Sequence, residues 1–397
     1  MKAAILHGKE DIRIEDIAPP SLKSGEVRVQ VEAALTCGTD LKVFKRGYHA
    51  KMIVPPAVFG HELSGTISEI APPDPGPLPR FAAEREQASG DSCSPPPGGE
   101  KVAGGRMRGT KWKIGDRVVV ANSAPCGVCF HCRNQQENLC DDLLFLNGAY
   151  AESIVIPERI VQKNMLRLKP QTDFRDAALV EPLACVVQGV EDTKLRAGQN
   201  VLVIGAGPIG LMFTALATNL GCKVAVRGRG KKRLQTARRL GAEQIVEIGD
   251  GEDLPGKIGD AVGVRGHVRA LKSGDMSPQS KCAGFDVVIE AVGKPETWEA
   301  AVKLVRKGGT VNFFGGCPAG TKVSFDTELI HYSNLTLLAS FHHTPHTIRR
   351  ALGFIEAGVI HAGDFVDGEC PLSELPQLFK QMAAGNHAVK TLVEVHE

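Results

Sequence analysis

The first 170 residues are dominated by short stretches in which apolar and polar positions alternate. Segment 26–32 has a period of two over its whole length, and 2–6 and 12–15 are predicted to be further short strands. This period is typical of strands in a sheet with one buried face. Further strands are predicted at 66–70, within 112–120 and at 151–156. This part of the chain is therefore predicted to be β-rich.

From residue 200 onwards the pattern changes. Apolar runs rich in valine and isoleucine alternate with longer helical segments and with glycine turns. Runs of this kind, separated by helices, predict parallel strands that are buried on both faces, and hence a doubly wound α/β sheet. The predicted strands are 201–204, 223–226, 285–290, 310–316 and 335–340. A helix at 348–357 and a closing strand at 390–395 follow.

Two segments fit neither pattern. Residues 71–110 are rich in proline and glycine, and 250–282 are polar and at best partly helical. Such composition buries too little apolar surface to offset the entropy lost on ordering. We interpret 71–110 as a mobile surface insertion, which contains Cys93, and 250–282 as a second insertion.

Composition narrows the possible classes of function. The chain has 397 residues, 43% of them apolar, and a formal net charge of +2. This length allows two domains, and the small charge argues against nucleic acid or an anionic membrane as a partner. No apolar run reaches transmembrane length, and the first residues do not resemble a signal peptide. Eleven cysteines, four of them at metal spacing, favour a reducing cytoplasm over a disulfide framework.

The glycine-rich turn after strand 201–204 is a candidate nucleotide site. Gly205, Gly207 and Gly210 have the spacing G-x-G-x-x-G, with Pro208 and Ile209 at the start of the following helix. The glycines allow a tight turn, a close approach to a pyrophosphate and close packing of helix on strand. With a strand before it and a helix after it, the motif predicts a dinucleotide site rather than an ordinary turn.

The end of the second strand of this unit indicates which dinucleotide is bound. Where an acidic residue would hold a ribose hydroxyl, the chain has Arg227, Arg229, Lys232 and Arg233. These cations would attract the 2′-phosphate of NADP, so NADP is preferred over NAD. A solvated basic helix start is the simpler alternative. Later strand ends are also expected to face the cofactor, at Val292, Gly293 and Gly315.

Four cysteines form the most specific motif in the sequence. Cys126, Cys129, Cys132 and Cys140 have the spacing C-x2-C-x2-C-x7-C, which suits a tetrahedral zinc ion. Four sulfur ligands leave no position for a substrate, so this zinc is predicted to be structural. An iron–sulfur cluster is the main alternative, and a nucleic-acid-binding zinc module is a weaker one because the flanking residues are acidic.

A second metal site is a weaker prediction from the residues alone. Cys37, His61 and Glu62 are ligands that suit zinc and would leave positions open for water or substrate. Glu181 precedes Pro182 at a predicted break between two helices, and a carboxylate there can point into a cleft or lie on the surface. His342, His343 and His346 are interpreted as flexible loop histidines rather than ligands.

The order of these motifs resembles that of a known family. Cys-Gly-Thr-Asp (37–40) is followed by Gly-His-Glu (60–62), the four-cysteine segment, Glu-Pro-Leu-Ala (181–184) and Gly-Ala-Gly-Pro-Ile-Gly (205–210). The chain thus resembles the zinc-dependent medium-chain dehydrogenases, within them the polyol and threonine dehydrogenase branch. The resemblance implies a GroES-like β-rich catalytic domain, from 1–170 and 340–397, and a Rossmann domain at 171–339.

The resemblance also implies the site and the chemistry. Cys37, His61 and either Glu62 or Glu181 would hold a catalytic zinc, in addition to the structural one, and Thr39 would pass the substrate proton outward. A histidine often found five residues after the cysteine is replaced by Lys42. The implied activity is the interconversion of an alcohol and its ketone or aldehyde with NAD(P), by a tetramer or dimer. Threonine-type oxidation and a metal-free quinone or enone reductase are the alternatives.

Overall fold

The computed structural model describes residues 1–49, 51–72, 112–249, 284–385 and 388–396. Both predicted insertions, with Cys93, therefore lie outside the described residues, apart from Ala71 and Pro72 at the start of the first. None of the described helices combines the length and apolar character that crossing a bilayer requires.

The described strands fall into four sheets. They are β1 (Lys2–Gly8), β2 (Asp11–Asp16), β3 (Val27–Leu35), β4 (Ala57–Val58), β5 (Glu62–Ile70), β6 (Arg117–Val120), β7 (Ser123–Ala124), β8 (Leu144–Phe145), β9 (Ser153–Ile156), β10 (Met165–Arg167), β11 (Asn200–Ile204), β12 (Lys223–Gly228), β13 (Gln244–Glu247), β14 (Phe285–Glu290), β15 (Val305–Phe313), β16 (Thr336–Leu338), β17 (Val366–Pro371) and β18 (Lys390–Glu394).

The described helices lie between these strands. They are α1 (Gly38–Arg46), α2 (Phe130–Arg133), α3 (Glu158–Lys163), α4 (Phe174–Ala178), α5 (Val180–Thr193), α6 (Pro208–Asn219), α7 (Lys231–Arg239), α8 (Pro295–Leu304), α9 (Thr327–Tyr332), α10 (Pro345–Glu356), α11 (Ala362–Phe365) and α12 (Leu375–Ala383), with short 3₁₀ turns at Glu137–Leu139 and Leu372–Glu374.

The first part of the chain forms a mostly antiparallel seven-stranded sheet. Its order is β10-β6-β5-β3-β18-β17, with β9 also paired to β3. The alternation seen in the sequence matches the burial of β3, whose Val27, Val29 and Val31 are buried. The closing strand β18 lies beside β3, so the end of the chain returns to the sheet that its beginning forms.

The middle of the chain forms a six-stranded parallel sheet of order β13-β12-β11-β14-β15-β16. This is the order of a Rossmann sheet, and the strand order reverses between β11 and β14. The carboxyl ends of β11, β12 and β14 therefore meet at the edge where dinucleotides bind in such folds. The predicted α/β class with a β-rich partner sheet is confirmed.

Details of the helices differ from the sequence interpretation. A break does occur before Pro182, but it lies at Leu179, and α5 already begins at Val180. Pro182 belongs to the first turn of α5, where its missing N–H has no helical partner to lose. The strand predicted at 335–340 as the last of the parallel sheet is shorter in the structure and spans Thr336–Leu338. The domain boundaries at 170/171 and 339/340 stay a prediction.

Candidate active site

The pairing of β3 with β5 brings the first predicted ligands together. In the antiparallel register Leu35 lies opposite Glu62. Cys37, two residues beyond β3, is therefore next to His61, one residue before β5. One ligand atom from each of Cys37, His61 and Glu62 lies within 4.8 Å of the others. Residues 24 positions apart along the chain thus meet because of sheet register rather than local spacing.

Cys37 is the residue that caps the N-terminus of α1. Its sulfur accepts a hydrogen bond from the backbone N–H of Thr39 at 3.4 Å. The N-terminus of a helix carries a partial positive charge, which favours a negatively charged sulfur at this position. Thr39 itself is partly exposed on the first turn of α1, and Lys42, one turn later, is exposed. The predicted proton path therefore begins beside the predicted metal ligand.

The imidazole of His61 is oriented by a buried carboxylate. Its Nδ1 lies 2.8 Å from Oδ1 of Asp40, whose other oxygen accepts a hydrogen bond from the hydroxyl of Tyr150 at 2.7 Å. This arrangement leaves Nε2 for a metal ion, as in the carboxylate–histidine pairs of zinc sites. Burial alone would lower the pKa of His61, but the negative charges of Asp40 and Cys37 raise it well above 6.5. The same charges favour a bound cation.

Gly60 in the Gly-His-Glu motif is required by packing. Its φ is +86°, and a Cβ atom would lie 2.7 Å from the ring of Tyr150. A side chain at this position would displace the ring that holds Asp40. The glycine therefore protects the orientation of His61 through Tyr150.

Glu62 is fully buried and pairs with a lysine from the other end of the chain. Its Oε2 contacts the ammonium of Lys390, which also donates to the backbone oxygen of Thr36 at 3.0 Å. Burial raises the pKa of Glu62, and Lys390 acts in the opposite direction. Oε1 is buried without a hydrogen-bond partner among the described residues. A buried acceptor of this kind, beside a thiol and an imidazole, fits a zinc ion as its missing partner.

The structure places Glu181 close enough to His61 and Glu62 for their charges to act on it, and groups it with His342 and His343. It lies in the first turn of α5 and is buried, so the surface alternative is wrong. Burial raises its pKa to about 7, with smaller contributions from His61, which lowers it, and Glu62, which raises it. Glu181 forms a group with His342 and His343, in which one ligand atom of each residue lies within 4.8 Å of the other two.

Two of the three predicted loop histidines, His342 and His343, do lie in the connection between β16 and α10, but they are not solvated. His343 is buried, and His342 is half-buried with its Nε2 2.6 Å from Oγ of Ser123. His346 is exposed but lies in the first turn of α10 rather than in the loop. The burial of the pair could not be predicted, because two histidines without periodic neighbours give no signal of burial in the sequence.

The four cysteines between 126 and 140 also meet. Sγ of Cys126 lies 3.9 Å from Sγ of Cys132, and the Cys129–Cys140 pair has the same separation. Zinc–sulfur bonds of about 2.3 Å in a tetrahedron place the sulfurs roughly 3.8 Å apart. Backbone N–H groups of Val128 and Cys129 point at Cys126 and lower its pKa to about 6. The donor set and its spacing therefore fit a zinc ion.

A cavity of about 710 Å³ lies at the carboxyl edge of the parallel sheet. Gly207 leaves open space, since a Cβ atom there would meet nothing within 4 Å, whereas one at Gly210 would lie 1.8 Å from the oxygen of Gly205. The missing side chain of Gly207 therefore leaves room for a cofactor, and that of Gly210 lets α6 pack closely on β11. The cavity is lined by Ile204, Gly205, Ala206, Gly207, Arg227, Gly228, Arg229, Arg233, Ile248, Ala291, Val292, Lys294, Glu296 and Thr297.

The other predicted cofactor residues lie near this cavity without lining it. Pro208 and Ile209 begin α6, and Gly293 and Gly315 pack on each other, so that a Cβ atom on Gly315 would lie 2.3 Å from the nitrogen of Gly293. Lys232 lies on the wall of a neighbouring cavity and forms an ion pair with Asp367 at 2.8 Å. The geometry therefore favours Arg233 over Lys232 as a cofactor contact.

Sequence reasoning gave no role to several residues that organise the cluster. Asp40 belongs to the quoted Cys-Gly-Thr-Asp motif, so its position could have been noticed. Tyr150 and Lys390 have no local signal, because only the packing of distant segments brings them to Asp40 and Glu62.

Comparisons with known proteins agree with this architecture. Residues 23–78 and 99–166 match the family described as "Alcohol dehydrogenase GroES-like domain", and 208–357 match "Zinc-binding dehydrogenase". Together the two matches cover more than half of the chain.

Curated relatives match over almost their whole length. The chain is 24% identical to the sorbitol dehydrogenase of Bacillus subtilis (strain 168), covering 99% of this chain and 97% of the relative. It is 28% identical to a protein named probable D-xylulose reductase A of Neosartorya fischeri, covering 98% and 95%.

Solved structures show the same fold. One is the alcohol dehydrogenase TADH from Thermus sp. ATN1, with a TM-score of 0.73, 26% identity and 100% of both chains covered. Another, described as a zinc-binding dehydrogenase of Sinorhizobium meliloti 1021 bound to NADP, has a TM-score of 0.75 and 26% identity, with 99% and 98% covered.

Proposed function

Because the chain belongs to the zinc-dependent medium-chain dehydrogenase family, we propose that it interconverts a polyol, sugar or secondary alcohol and the corresponding ketone or aldehyde. A nicotinamide cofactor carries the hydride. The observation that carries this proposal is the convergence of Cys37, His61 and Glu62 on one point, where a buried oxygen of Glu62 has no hydrogen-bond partner in the described part of the chain. A metal-free reductase would have no use for that arrangement.

The ligand cluster and the cofactor cavity are linked by α5. Its first turn carries Glu181, and further along, the backbone oxygen of Gly189 accepts a hydrogen bond from Asn312 of β15 at 3.3 Å. Helix α5 therefore extends from the ligand cluster to the parallel sheet whose strand ends would hold a nicotinamide ring.

Within this proposal, Cys37 and His61 hold the catalytic zinc, and Glu62 is the carboxylate placed to join them. Zinc bound there would supply Lewis-acid polarisation of the substrate oxygen, and the nicotinamide would accept the hydride. Asp40 holds His61 in the tautomer that presents Nε2. Lys390 compensates the charge of Glu62 when it is buried.

The hydroxyl of Thr39 is assigned the role of accepting the substrate proton. Its backbone is fixed beside Cys37 by the hydrogen bond to Sγ, and its side chain is partly exposed. Proton transfer from a bound alcohol needs a hydroxyl within hydrogen-bond reach that can pass the proton on to solvent. Lys42 is exposed one turn later and does not continue this route as a histidine would.

We further propose a second, structural zinc ion at the four cysteines. The sulfur separations and the N–H groups that point at the sulfurs support four thiolate ligands. With all positions filled by sulfur, this ion would have no place for substrate. It would instead fix the fold of the segment 126–140.

NADP is the proposed cofactor in preference to NAD. At the end of β12, Gly228 has no room for a carboxylate, because a Cβ atom would lie 2.5 Å from that of Ala206. Arg227, Arg229 and Arg233 line the same cavity, and Glu296, at the start of α8, also lines it. Three guanidinium groups, with no carboxylate at the end of β12, would favour a 2′-phosphate over a ribose hydroxyl.

The activity is tested by screening polyols, sugars, threonine and secondary alcohols with zinc-loaded protein and either NAD or NADP. We expect reduced nicotinamide to form with at least one polyol or secondary alcohol, detected by its absorbance. Absence of turnover with every substrate and both cofactors would contradict the proposal. Turnover of threonine alone would favour amino-alcohol oxidation instead.

Cofactor preference is tested with Arg229→Ala and its matched control Lys232→Ala, each of which removes one positive charge. Hydrogen bonds to a charged partner contribute about 1.5–3 kcal/mol, so kcat/KM for NADP should fall roughly 10- to 100-fold in Arg229→Ala. The value for NAD should change little. Lys232→Ala should keep the preference of the wild type, since Lys232 pairs with Asp367. Equal losses in the two variants would refute the assignment of Arg229.

A further inference from the structure

Residues 340–343, in the connection between β16 and α10, are each held by a polar side chain from another part of the chain. The four pairs are Ser340 with Asp192 at 2.6 Å, Phe341 with Asn138 at 2.9 Å, His342 with Ser123 at 2.6 Å and His343 with Asn122 at 2.9 Å. The backbone of His342 has a φ of +62°, in the left-handed region, which persists only where the surroundings determine it. The path of the 340–343 connection is therefore set by these side chains.

The 340–343 connection reaches the catalytic cluster through its last residue. His343 is buried, and its Nε2 lies 3.9 Å from Oε1 of Glu181. Glu181 is in turn close enough to His61 and Glu62 for their charges to act on it. A shift of the connection would therefore move a buried ring that lies beside a carboxylate of the catalytic site.

One of the four partners, Asn138, belongs to the four-cysteine segment 126–140. It lies in the 3₁₀ turn Glu137–Leu139, two residues before Cys140. The sulfur of Cys140 accepts a hydrogen bond from the backbone N–H of Cys126 at 3.2 Å. The position of Asn138 therefore depends on the same sulfurs that would hold the structural zinc. Its side chain points out of the segment, and Nδ2 donates to the backbone oxygen of Phe341.

The surroundings of this hydrogen bond are loosely packed. A cavity of about 490 Å³ lies between the four-cysteine segment, the end of α5 and the end of β16. Asn138, Asp192 and Phe341 all line it. In a close-packed core many van der Waals contacts would fix the neighbouring segments, but they are fewer beside a cavity. A single hydrogen bond therefore has more weight here in setting the position of residue 341.

We propose that Asn138 is a positioning residue of the catalytic site, through which the order of the four-cysteine segment determines where His343 lies beside Glu181. The N–H of Asn138 holds the backbone of Phe341, and the 340–343 connection holds the ring of His343. The segment thus has a role beyond fixing its own fold. This inference rests on the proposed function, because it assigns the segment an effect on turnover.

The first test measures the accessibility of His343 in zinc-loaded protein. Histidines are modified with diethyl pyrocarbonate, and the rate at each residue is followed by mass spectrometry. In Asn138→Ala, His343 should react about 2- to 10-fold faster than in the wild type, the factor by which loss of one hydrogen bond shifts a local opening equilibrium. His346 is exposed and serves as the internal reference, with equal rates in both proteins.

The matched control is Asn134→Ala. Asn134 lies in the same segment, but its Nδ2 donates to the backbone oxygen of Phe130 at 2.8 Å, within the segment. Both substitutions remove one asparagine hydrogen bond, and only that of Asn138 reaches the 340–343 connection. Asn134→Ala should therefore keep the wild-type rate at His343.

The second test separates positioning from a general loss of structure. In Asn138→Ala, kcat/KM for the alcohol should fall about 2- to 10-fold, because the environment of Glu181 changes. KM for the nicotinamide cofactor should stay within about twofold of the wild type, since the ends of β11, β12 and β14 that line the cofactor cavity are not altered. A general loosening of the fold would affect both quantities.

A double variant tests whether the segment acts through Asn138. Cys132→Ser, which removes one of the four sulfurs, should by itself increase the rate at His343. Adding Asn138→Ala should then give little further increase, because the hydrogen bond has already been lost. Independent effects would multiply instead.

Three results would overturn the proposal. They are an unchanged rate at His343 in Asn138→Ala, a faster rate with unchanged kcat/KM, and multiplied effects in the double variant. Modification of His343 does not require turnover. A wild type without dehydrogenase activity would therefore refute the proposed function, whereas an unchanged rate at His343 in an active enzyme would refute this inference alone.

Discussion

The two cysteine-containing clusters of this protein are built in opposite ways. The four cysteines come from 126–140, a single short segment, and backbone N–H groups of the same segment point at their sulfurs. Cys37, His61 and Glu62 come from the ends of two strands and depend on side chains from elsewhere, namely Asp40, Tyr150 and Lys390. The first cluster is specified by spacing and the second by topology.

The surroundings of the two clusters also differ. His61 and Glu62 are buried, whereas Val128 and Phe130, beside the four cysteines, are 66% and 70% exposed. Loss of the ion at the four cysteines can disorder the segment 126–140 while the main sheets persist. Loss of the ion at Cys37, His61 and Glu62 can abolish activity while the fold persists. Substitutions in the first cluster should therefore affect mainly local order, and substitutions in the second mainly activity.

The largest effect on activity is expected for Cys37→Ala. Losing the Lewis-acid ion removes several kcal/mol of transition-state stabilisation, so kcat/KM should fall about 10³-fold or more. In metal-free protein the free energy of unfolding should fall by only about 1 kcal/mol, because the substitution removes the sulfur that caps α1 and leaves the sheets intact. Cys222→Ala, in the Rossmann half, is the control and should retain activity. Activity of Cys37→Ala close to that of the wild type would contradict the proposal that catalysis depends on zinc at this site.

The buried pair of Glu62 and Lys390 should give the largest effect on stability. Lys390→Met leaves the carboxylate buried without its counter-ion, which typically costs about 3–5 kcal/mol in the free energy of unfolding. Chemical unfolding of proteins with the same metal load measures this loss. The double variant Glu62→Gln/Lys390→Met should recover part of it, since neither member of the pair then carries a charge. A single variant as stable as the wild type would show that the pair contributes nothing.

Cys132→Ser should have the smallest effect on activity. Zinc content should fall by one ion per chain, and the segment 126–140 should become sensitive to proteases. We expect kcat/KM to fall by less than about tenfold, or 1.4 kcal/mol. Some loss is expected, because Asn138 of this segment donates to the backbone oxygen of Phe341 at 2.9 Å, next to His342. A loss as large as that of Cys37→Ala would show that the two clusters do not act separately.

The same contrast explains how much could be predicted from the sequence. The four-cysteine spacing and the glycine-rich turn are local patterns, so both their positions and their chemistry could be predicted. The parallel sheet followed from apolar runs separated by helices. Lys390 could not be found in this way, because its contact with Glu62 depends on β18 pairing with β3.

The histidines show a second limit of sequence analysis. His342 and His343 resemble residues of a polar loop, since the pattern around them is not periodic. Their burial depends on Asn122, Ser123 and the start of α5, which packing alone brings to them. Lys232 and Arg233 are adjacent in a basic run, yet only Arg233 lines the cofactor cavity. A run of like charges does not reveal which member faces inward.

The position of Lys390 in β18 also has a consequence for biosynthesis. Glu62 precedes Lys390 by 328 residues, so Glu62 leaves the ribosome long before Lys390 has been synthesised. Until β18 emerges and pairs with β3, Lys390 cannot neutralise Glu62. Burial of the charged carboxylate at the start of β5 is therefore unfavourable during that time. During synthesis, the buried pair can therefore form only after β18 has left the ribosome.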